Sequence, residues 1–236
     1  MMVQRTIIAI GGGGFSRSGA AGPLERYVLR ASGKRVPRVC YVPTASSDPA
    51  RAMRRFRRAF SALRCEVATL DLFDPTRDPD IDAFLRAQDV IWVGGGNTRN
   101  MLLLWNAWGV DSALRSAYEN GTVLAGVSAG ALCWFEAGVT DSYPRSLATL
   151  NALGWLRGSF TPHYDSEPGR RPLFHELVGS GQLPAGHAAD DFVALRFENE
   201  HLREAVTAVA GKSAYRVSAT ARGVREARVP TRSLGR

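Results

Sequence analysis

The stretch 122-TVLAGVSAGALCW-134 decides how this chain folds. An apolar run, TVLAG, ends in one serine set between small residues, and ALCWFEA follows as a helix start. The run is apolar at consecutive positions, as a strand buried on both faces of a parallel sheet would be. A strand that turns straight into a helix through G-V-S-A-G satisfies G-x-S-x-G, the pattern of a nucleophile elbow. Ser128 is then either a nucleophile held clear of the sheet or a small residue where a strand stops, and the rest of the chain must choose.

Working outward, strands are predicted at 6-TIIAI-10, 38-RVCYVPT-44, 66-EVATLDL-72, 89-DVIWVGG-95 and 122–128. Helices are predicted between them at 21–33, 49–64, 80–87 and 98–119. This alternation predicts an α/β layered fold with right-handed crossovers. After Ala137 the pattern loosens into loops, then returns at 191-DFVALRFEN-199 and 205-AVTAVAGKSAYRV-217, read as an antiparallel pair or edge strands. A single domain over residues 1–217 is expected. The tail 218–236, basic and poor in apolar residues, is expected to be disordered or loosely docked.

Composition narrows the classes of function. The chain of 236 residues is 45% hydrophobic and carries a net charge of +8, nearly all its positive charge being arginine. No run approaches the roughly 18 apolar residues of a membrane span, and the N-terminal apolar segment is too short for a signal peptide, so a cytoplasmic protein without membrane attachment is expected. Three cysteines, Cys40, Cys65 and Cys133, form no C-x-x-C pair, so neither a disulfide framework nor a zinc site is implied. In 51-RAMRRFRRAFSALR-64, Met53, Phe56, Phe60 and Leu63 share one helical face, which leaves the arginines to solvent. No nucleic-acid recognition motif accompanies them.

In a sheet of this kind binding groups gather at the C-terminal strand ends: here 11-GGGGFS-16, 43-PTAS-46, 94-GGGN-97 and 126-GVSAGA-131. The glycine run fails as a dinucleotide fingerprint. Counted from Gly11 or Gly12, the third glycine position holds Ser16 or Arg17, and no acid stands about 20 residues on. A turn giving room to substrate backbone is the better reading. A nucleophilic serine needs a base and an orienting acid. His163, in the polar loop 161-TPHYDSEPG-169, is the preferred base, and His187 is the runner-up. His175 on a helix and His201 on a charged stretch fit surface or capping roles. Glu136 and Asp141 lie between serine and histidine; Asp190 and Asp191 could also face the rim, and Asp165 is disfavoured by its closeness to His163 in sequence.

The motifs VGGGNTRNML, GVSAGALCW and TPHYD, in this order and spacing, resemble the peptidase E and cyanophycinase-like serine peptidases. IGGGG, VPTAS and DDFVALRF add to the likeness, which covers roughly residues 5 to 217. The resemblance implies a flavodoxin-like three-layer sandwich related to class I glutamine amidotransferases, with a mostly parallel central sheet. It implies Ser128 as nucleophile, His163 as general base and Asp141 as acid, with Glu136 the alternative. It further implies an oxyanion hole from the amides of Ala129 and Gly95, and substrate contacts from Asn97 and from Arg170, the latter reading an aspartyl side chain, with Arg171 beside it. The expected function is a serine exopeptidase acting on short peptides, including dipeptides with N-terminal Asp, without metal or cofactor. An esterase on the same site, a broader aminopeptidase or a non-catalytic amidotransferase-like binding module are the alternatives. The expected partner is a short peptide, and a homodimer is left open.

Overall fold

The computed structural model describes residues 3–74, 80–144 and 146–235. Met1, Met2 and Arg236, counted above with the domain and its tail, lie outside them. The first half alternates as predicted: β1 (Thr6–Ile10), α1 (Phe15–Ser18), α2 (Pro23–Ala31), β2 (Arg38–Val42), α3 (Pro49–Phe60) and β3 (Glu66–Thr69). It continues through α4 (Ile81–Arg86), β4 (Val90–Val93), α5 (Thr98–Trp108), α6 (Val110–Glu119), β5 (Val123–Val127) and α7 (Ala129–Leu132). Then come β6 (Phe135–Tyr143), β7 (Ser146–Asn151), β8 (Leu156–Thr161), α8 (Arg170–Gly179) and β9 (Gly186–Ala189). The chain closes with β10 (Val193–Glu198), β11 (His201–Thr207), β12 (Ala214–Thr220), β13 (Gly223–Val229) and β14 (Thr231–Ser233).

The central sheet runs β14-β11-β10-β1-β5-β4-β2-β3, and its β1-β5-β4-β2-β3 portion is parallel throughout. Alternation along each strand supplies two cores. Ile7, Ala9, Cys40, Val42, Ile91 and Val93 face the side covered by Met101 and Trp105 of α5 and Leu114 of α6. Ile8, Ile10, Val39, Tyr41, Val90 and Trp92 face Leu24 and Val28 of α2 and Phe56 and Phe60 of α3. With both faces covered, the fold is the expected three-layer α/β sandwich. The apolar face predicted for 51–64 is buried here at Phe56 and Phe60.

Three expectations change. The helix predicted over 98–119 is two helices, because Gly109 takes φ 68 and ends α5 in a left-handed cap before α6 begins. The loose stretch after Ala137 holds a second sheet, ordered β13-β12-β9-β8-β6-β7. Of its strands, β9 is only four residues long and β7 is only partly buried, so their apolar signal is faint. The segment 205–217 is not one strand. It breaks near Gly211, at φ 84, and sends β11 to the central sheet and β12 to the second.

The tail also differs from the disordered end expected for 218–236. β13 pairs antiparallel with β12, and β14 pairs parallel with β11. Val224 and Leu234 pack on the apolar clusters. Glu226 accepts hydrogen bonds from Tyr164 (2.6 Å) and Arg171, and bonds His175 (2.8 Å). Those partners hold its carboxyl below the ordinary range despite the opposing effect of burial. Among the described residues no helix is long and apolar enough to cross a membrane.

Candidate active site

The turn after β5 explains its own sequence. Ser128 has φ 57 and ψ −113, a conformation that costs a non-glycine residue about 1–3 kcal/mol. A methyl group at Gly126 would lie 1.9 Å from the Gly130 carbonyl oxygen, and one at Gly130 would lie 2.4 Å from that of Val93. Both flanking glycines are therefore required by backbone packing of the turn against itself and against β4. The Ser128 amide donates to Ile10 O (3.0 Å), while its carbonyl accepts from Ala131 (3.0 Å) and Leu132 (2.9 Å). Ala129 is the first residue of α7, so its N–H has no acceptor within the helix. With a single turn, α7 offers free amides rather than a sizeable macrodipole. Gly95, after β4, closes on the serine: a Cβ there would stand 3.2 Å from Ser128 Cβ and 3.7 Å from Oγ.

His163 stands just beyond β8, with φ 53, and its amide donates to Gly11 O (3.2 Å). Its Nε2 lies 2.8 Å from Ser128 Oγ and its Nδ1 lies 2.7 Å from Asp191 Oδ1. Asp191 immediately precedes the Phe192 turn into β10. Its side chain is 5% exposed, its amide donates to Asp165 Oδ1 (2.8 Å), and its Oδ2 accepts from Arg17 Nη1 (2.6 Å). Burial pushes the Asp191 carboxyl up, but the bond and charge of His163, with help from Ser166 and Arg17, outweigh it and hold the pKa below the ordinary carboxylate value. An ionised Asp191 accepts from Nδ1–H. That tautomer leaves the Nε2 lone pair to accept the Ser128 hydroxyl proton.

The glycine run makes room for this pair rather than for substrate backbone. A methyl at Gly12 would lie 1.9 Å from Asp191 Oδ1 and 2.5 Å from His163 Nδ1. One at Gly11 would lie 2.4 Å from Asp190 O. Gly13 adopts φ 82 directly against the Phe192 ring. The strand end of β1 can approach the His163 and Asp191 loops only without side chains.

Several expected site residues lie elsewhere. Asp141 points outward from β6, its side chain 66% exposed and 3.7 Å from Arg170. Glu136 accepts the Gly158 amide (2.8 Å). Neither meets His163, because both stand on exposed, outward positions of β6. Arg170 does not reach the serine. It is buried at 1% exposure, bonded to Glu167 (2.6 Å) and Val139 O (2.7 Å), and tethers α8 to β6. Asn97 caps α5, accepting from Asn100 N (2.8 Å) and donating to Ser142 O (3.2 Å). Arg171 and His175 join Glu226. His187 lies on β9 edge-on to Phe197 and is held neutral by burial, its pKa lowered to about 4. Asp190 spends Oδ2 on the Ser213 amide (2.9 Å). Arg17 had no signal in the sequence beyond its place after the glycines. For Asp191 the signal was its position at the mouth of a buried strand.

Beside Ser128 and His163 opens a cavity of about 320 Å³, walled by Phe15, Tyr41 and Val127 and by Arg51 and Arg55 of α3. Among the described residues, no group of three or more His, Cys, Asp or Glu side chains is placed to hold a metal ion.

Known proteins resemble this chain in sequence and in fold. Residues 7–205 match the model of peptidase family S51. The chain is 48% identical over 232 residues to the uncharacterized peptidase YgaJ of Bacillus subtilis (strain 168), covering 98% of this chain and all of that one. It is 26% identical over 156 residues to an uncharacterized peptidase of Listeria monocytogenes, covering 61% of this chain and 76% of the other. Among solved structures, a peptidase from an acI-B1 Actinobacterium superposes with TM-score 0.73 at 13% identity, over 96% of this chain and 95% of that one. A putative peptidase E protein from Listeria monocytogenes EGD-e gives TM-score 0.60 at 19% identity, over 85% and 98%. A family match over most of the chain, joined to a relative nearly half identical along its whole length, means that this protein belongs to peptidase family S51 and is a serine peptidase.

Proposed function

We propose that the protein hydrolyses short peptides through an acyl-enzyme, with Ser128 as nucleophile, His163 as general base and Asp191 as the acid that orients it. The observation that carries this reading is the continuous hydrogen-bonded line from Ser128 Oγ through the imidazole to Asp191, at 2.8 and 2.7 Å. As Oγ attacks the scissile carbonyl, His163 Nε2 takes its proton and Asp191 stabilises the imidazolium. The carbonyl oxygen, now negative, accepts from the Ala129 and Gly95 amides, a contribution of about 3–4 kcal/mol per donor in serine proteases. His163 then returns the proton to the leaving amine, the C–N bond breaks, and an ester to Ser128 remains. Water, deprotonated by the same imidazole, cleaves that ester and restores the serine.

A cavity of about 320 Å³ suits one or two residues of a peptide rather than a folded chain, which favours short substrates. With Arg170 buried elsewhere, an aspartyl preference needs another cation. We assign a cytoplasmic setting from the free thiols of Cys40, Cys65 and Cys133.

The test is a fluorophosphonate probe followed by peptide mapping, with hydrolysis of Asp-Leu, Ala-Leu and Leu-Leu assayed in parallel. Labelling at Ser128, peptide turnover, and loss of both in Ser128→Ala are expected. A Ser128→Ala protein that still cleaves its best peptide at the wild-type rate would overturn the reading. Turnover of p-nitrophenyl esters with no peptide cleaved would make the protein an esterase.

A further inference from the structure

We propose that Asp165 is a positioning residue for the acid of the triad: it holds the main chain of Asp191 and so sets the reach of that carboxylate to His163. The proposal rests on the triad reading above and extends it to a further side chain, with Lys212 as its counter-ion.

Asp165 follows His163 by two positions, the closeness that makes it a poor triad member. Over that span the chain folds back on itself, the His163 carbonyl accepting from the Ser166 (3.3 Å) and Glu167 (3.1 Å) amides. Base and Asp165 therefore stand on one short hydrogen-bonded turn. From it Asp165 Oδ1 accepts the Asp191 amide at 2.8 Å. Beside this bond the Tyr164 amide donates to Ala189 O (3.1 Å), so the base loop and the acid loop are already paired, and Asp165 extends the pairing to the acid itself. On the far side of Asp191, the Phe192 amide donates to Gly12 O (2.8 Å), which fixes both peptide groups that flank the acid.

This restraint works against strain. His163 takes φ 53 and Phe192 takes φ 67, left-handed backbone that non-glycine residues keep only where their surroundings hold them. Freed of Asp165, the turn at 191–192 can relax and carry the Asp191 carboxylate off the imidazole edge. A carboxylate suits the task, because a hydrogen bond to an ionised oxygen is about twice as strong as a neutral one. Its second oxygen, Oδ2, pairs with Lys212 Nζ from the β11–β12 connection. That bond, and the charges of Asp165, Asp190 and Asp191, hold the Lys212 ammonium above its ordinary pKa despite desolvation. Lys212 and Asp165 are 35% and 21% exposed, so the pair adds little to global stability. Its effect is local, on the acid.

The experiment measures kcat and KM on the best peptide for wild type, Asp165→Ala, Asp165→Asn, Lys212→Met, the double variant Asp165→Ala with Lys212→Met, and Glu167→Gln as a control on the same turn. Asp165→Ala is expected to lower kcat and kcat/KM together by about 10- to 100-fold, the scale of an ångström's misplacement. KM should hold, since Asp165 does not line the cavity beside Ser128. Asp165→Asn keeps an oxygen for the Asp191 amide and should return to within about fivefold of wild type. Lys212→Met should cost about two- to fivefold, and the double variant should be no worse than Asp165→Ala, because the lysine acts through Asp165. Glu167→Gln should stay within about twofold.

Proton NMR supplies the direct readout: the low-field resonance of His163 Nδ1–H should weaken or shift in Asp165→Ala and persist in Glu167→Gln, with urea midpoints confirming that each protein is folded. Wild-type kcat in Asp165→Ala, a rise in KM alone, or an equal loss in Glu167→Gln overturns the proposal. Should Asp165→Ala fail to fold, Lys212→Met decides: a lower kcat at unchanged KM supports the proposal, and wild-type kcat overturns it. If the wild type cleaves no peptide, the peptidase reading falls separately. The Nδ1–H resonance, recorded without substrate, then decides the positioning: its loss in Asp165→Ala alone supports it, and an unchanged resonance overturns it.

Discussion

Asp191 Oδ1 lies 2.7 Å from His163 Nδ1, on the ring edge opposite Ser128, although 28 positions separate the two residues. The contact is built from both sides of the rim. His163 is drawn down by its amide bond to Gly11 O, and the Phe192 amide, next to Asp191, donates to Gly12 O at 2.8 Å. The end of β1 thus holds base and acid together.

Asp191→Asn is expected to lower kcat by about 10⁴-fold, since an amide in that place favours the wrong imidazole tautomer. Asp141→Asn and Glu136→Gln should each stay within about twofold of wild type, because neither carboxylate touches the histidine. Steady-state kinetics on the best peptide separates the three.

Gly12→Ala puts a methyl group where Asp191 Oδ1 and His163 Nδ1 already stand. The pair must part by more than an ångström. We expect a loss of at least about 100-fold in kcat/KM with a stability cost of only about 1–3 kcal/mol. Urea titration beside the kinetics checks that the protein is folded yet impaired.

Arg17 reaches Asp191 Oδ2 at 2.6 Å from an exposed position, its side chain 64% accessible. Arg17→Gln should therefore cost only about two- to fivefold in kcat/KM at low salt. The difference should shrink toward one in about 1 M NaCl, where the ion pair is screened in wild type too. The variant also raises the Asp191 pKa. A depressed folded pKa stabilises above the unfolded value and is lost as pH falls through the folded one, so the variant should lose less stability on acidification than wild type below about pH 4.

His187 is half-buried, its pKa lowered by desolvation, with help from Arg216, to about 4 from an ordinary 6.5, and its Nδ1 has no partner among the described residues. Between those values the unfolded chain holds a proton there and the native chain does not, so stability rises with pH across the window. Acidification from about pH 6.5 to 4 should cost on the order of 2–3 kcal/mol through this residue. His187→Leu should flatten that slope. Denaturant midpoints at half-unit pH steps would reveal it.

The parallel half of the fold is legible because β1, β2, β4 and β5 are buried on both faces and read as unbroken apolar runs. The second sheet is not. β9 is four residues long and β7 shows only partial burial, so neither carries a period strong enough to separate it from loop. Ser128 and His163 announce themselves through local motifs. The third partner could not, because Asp141, Glu136, Asp190 and Asp191 are equivalent as isolated carboxylates. What separates them is strand phase and position along the rim: Asp141 sits on an outward position of β6, whereas Asp191 stands at the rim beside β1. Arg170 misled for a related reason. It follows the histidine at a suitable distance, but its guanidinium faces β6 instead of the cavity.

β10 runs antiparallel to β1, with Ala194 opposite Ile10. Its beginning therefore lies level with the ends of the parallel strands. Nucleophile and acid arrive at one rim by opposite directions of travel. The serine is locked to its place by a strand-to-helix corner that only glycines permit. A carboxylate needs merely to stand on some connection that crosses the same edge, so the third position of such a site is topologically portable while the first is not.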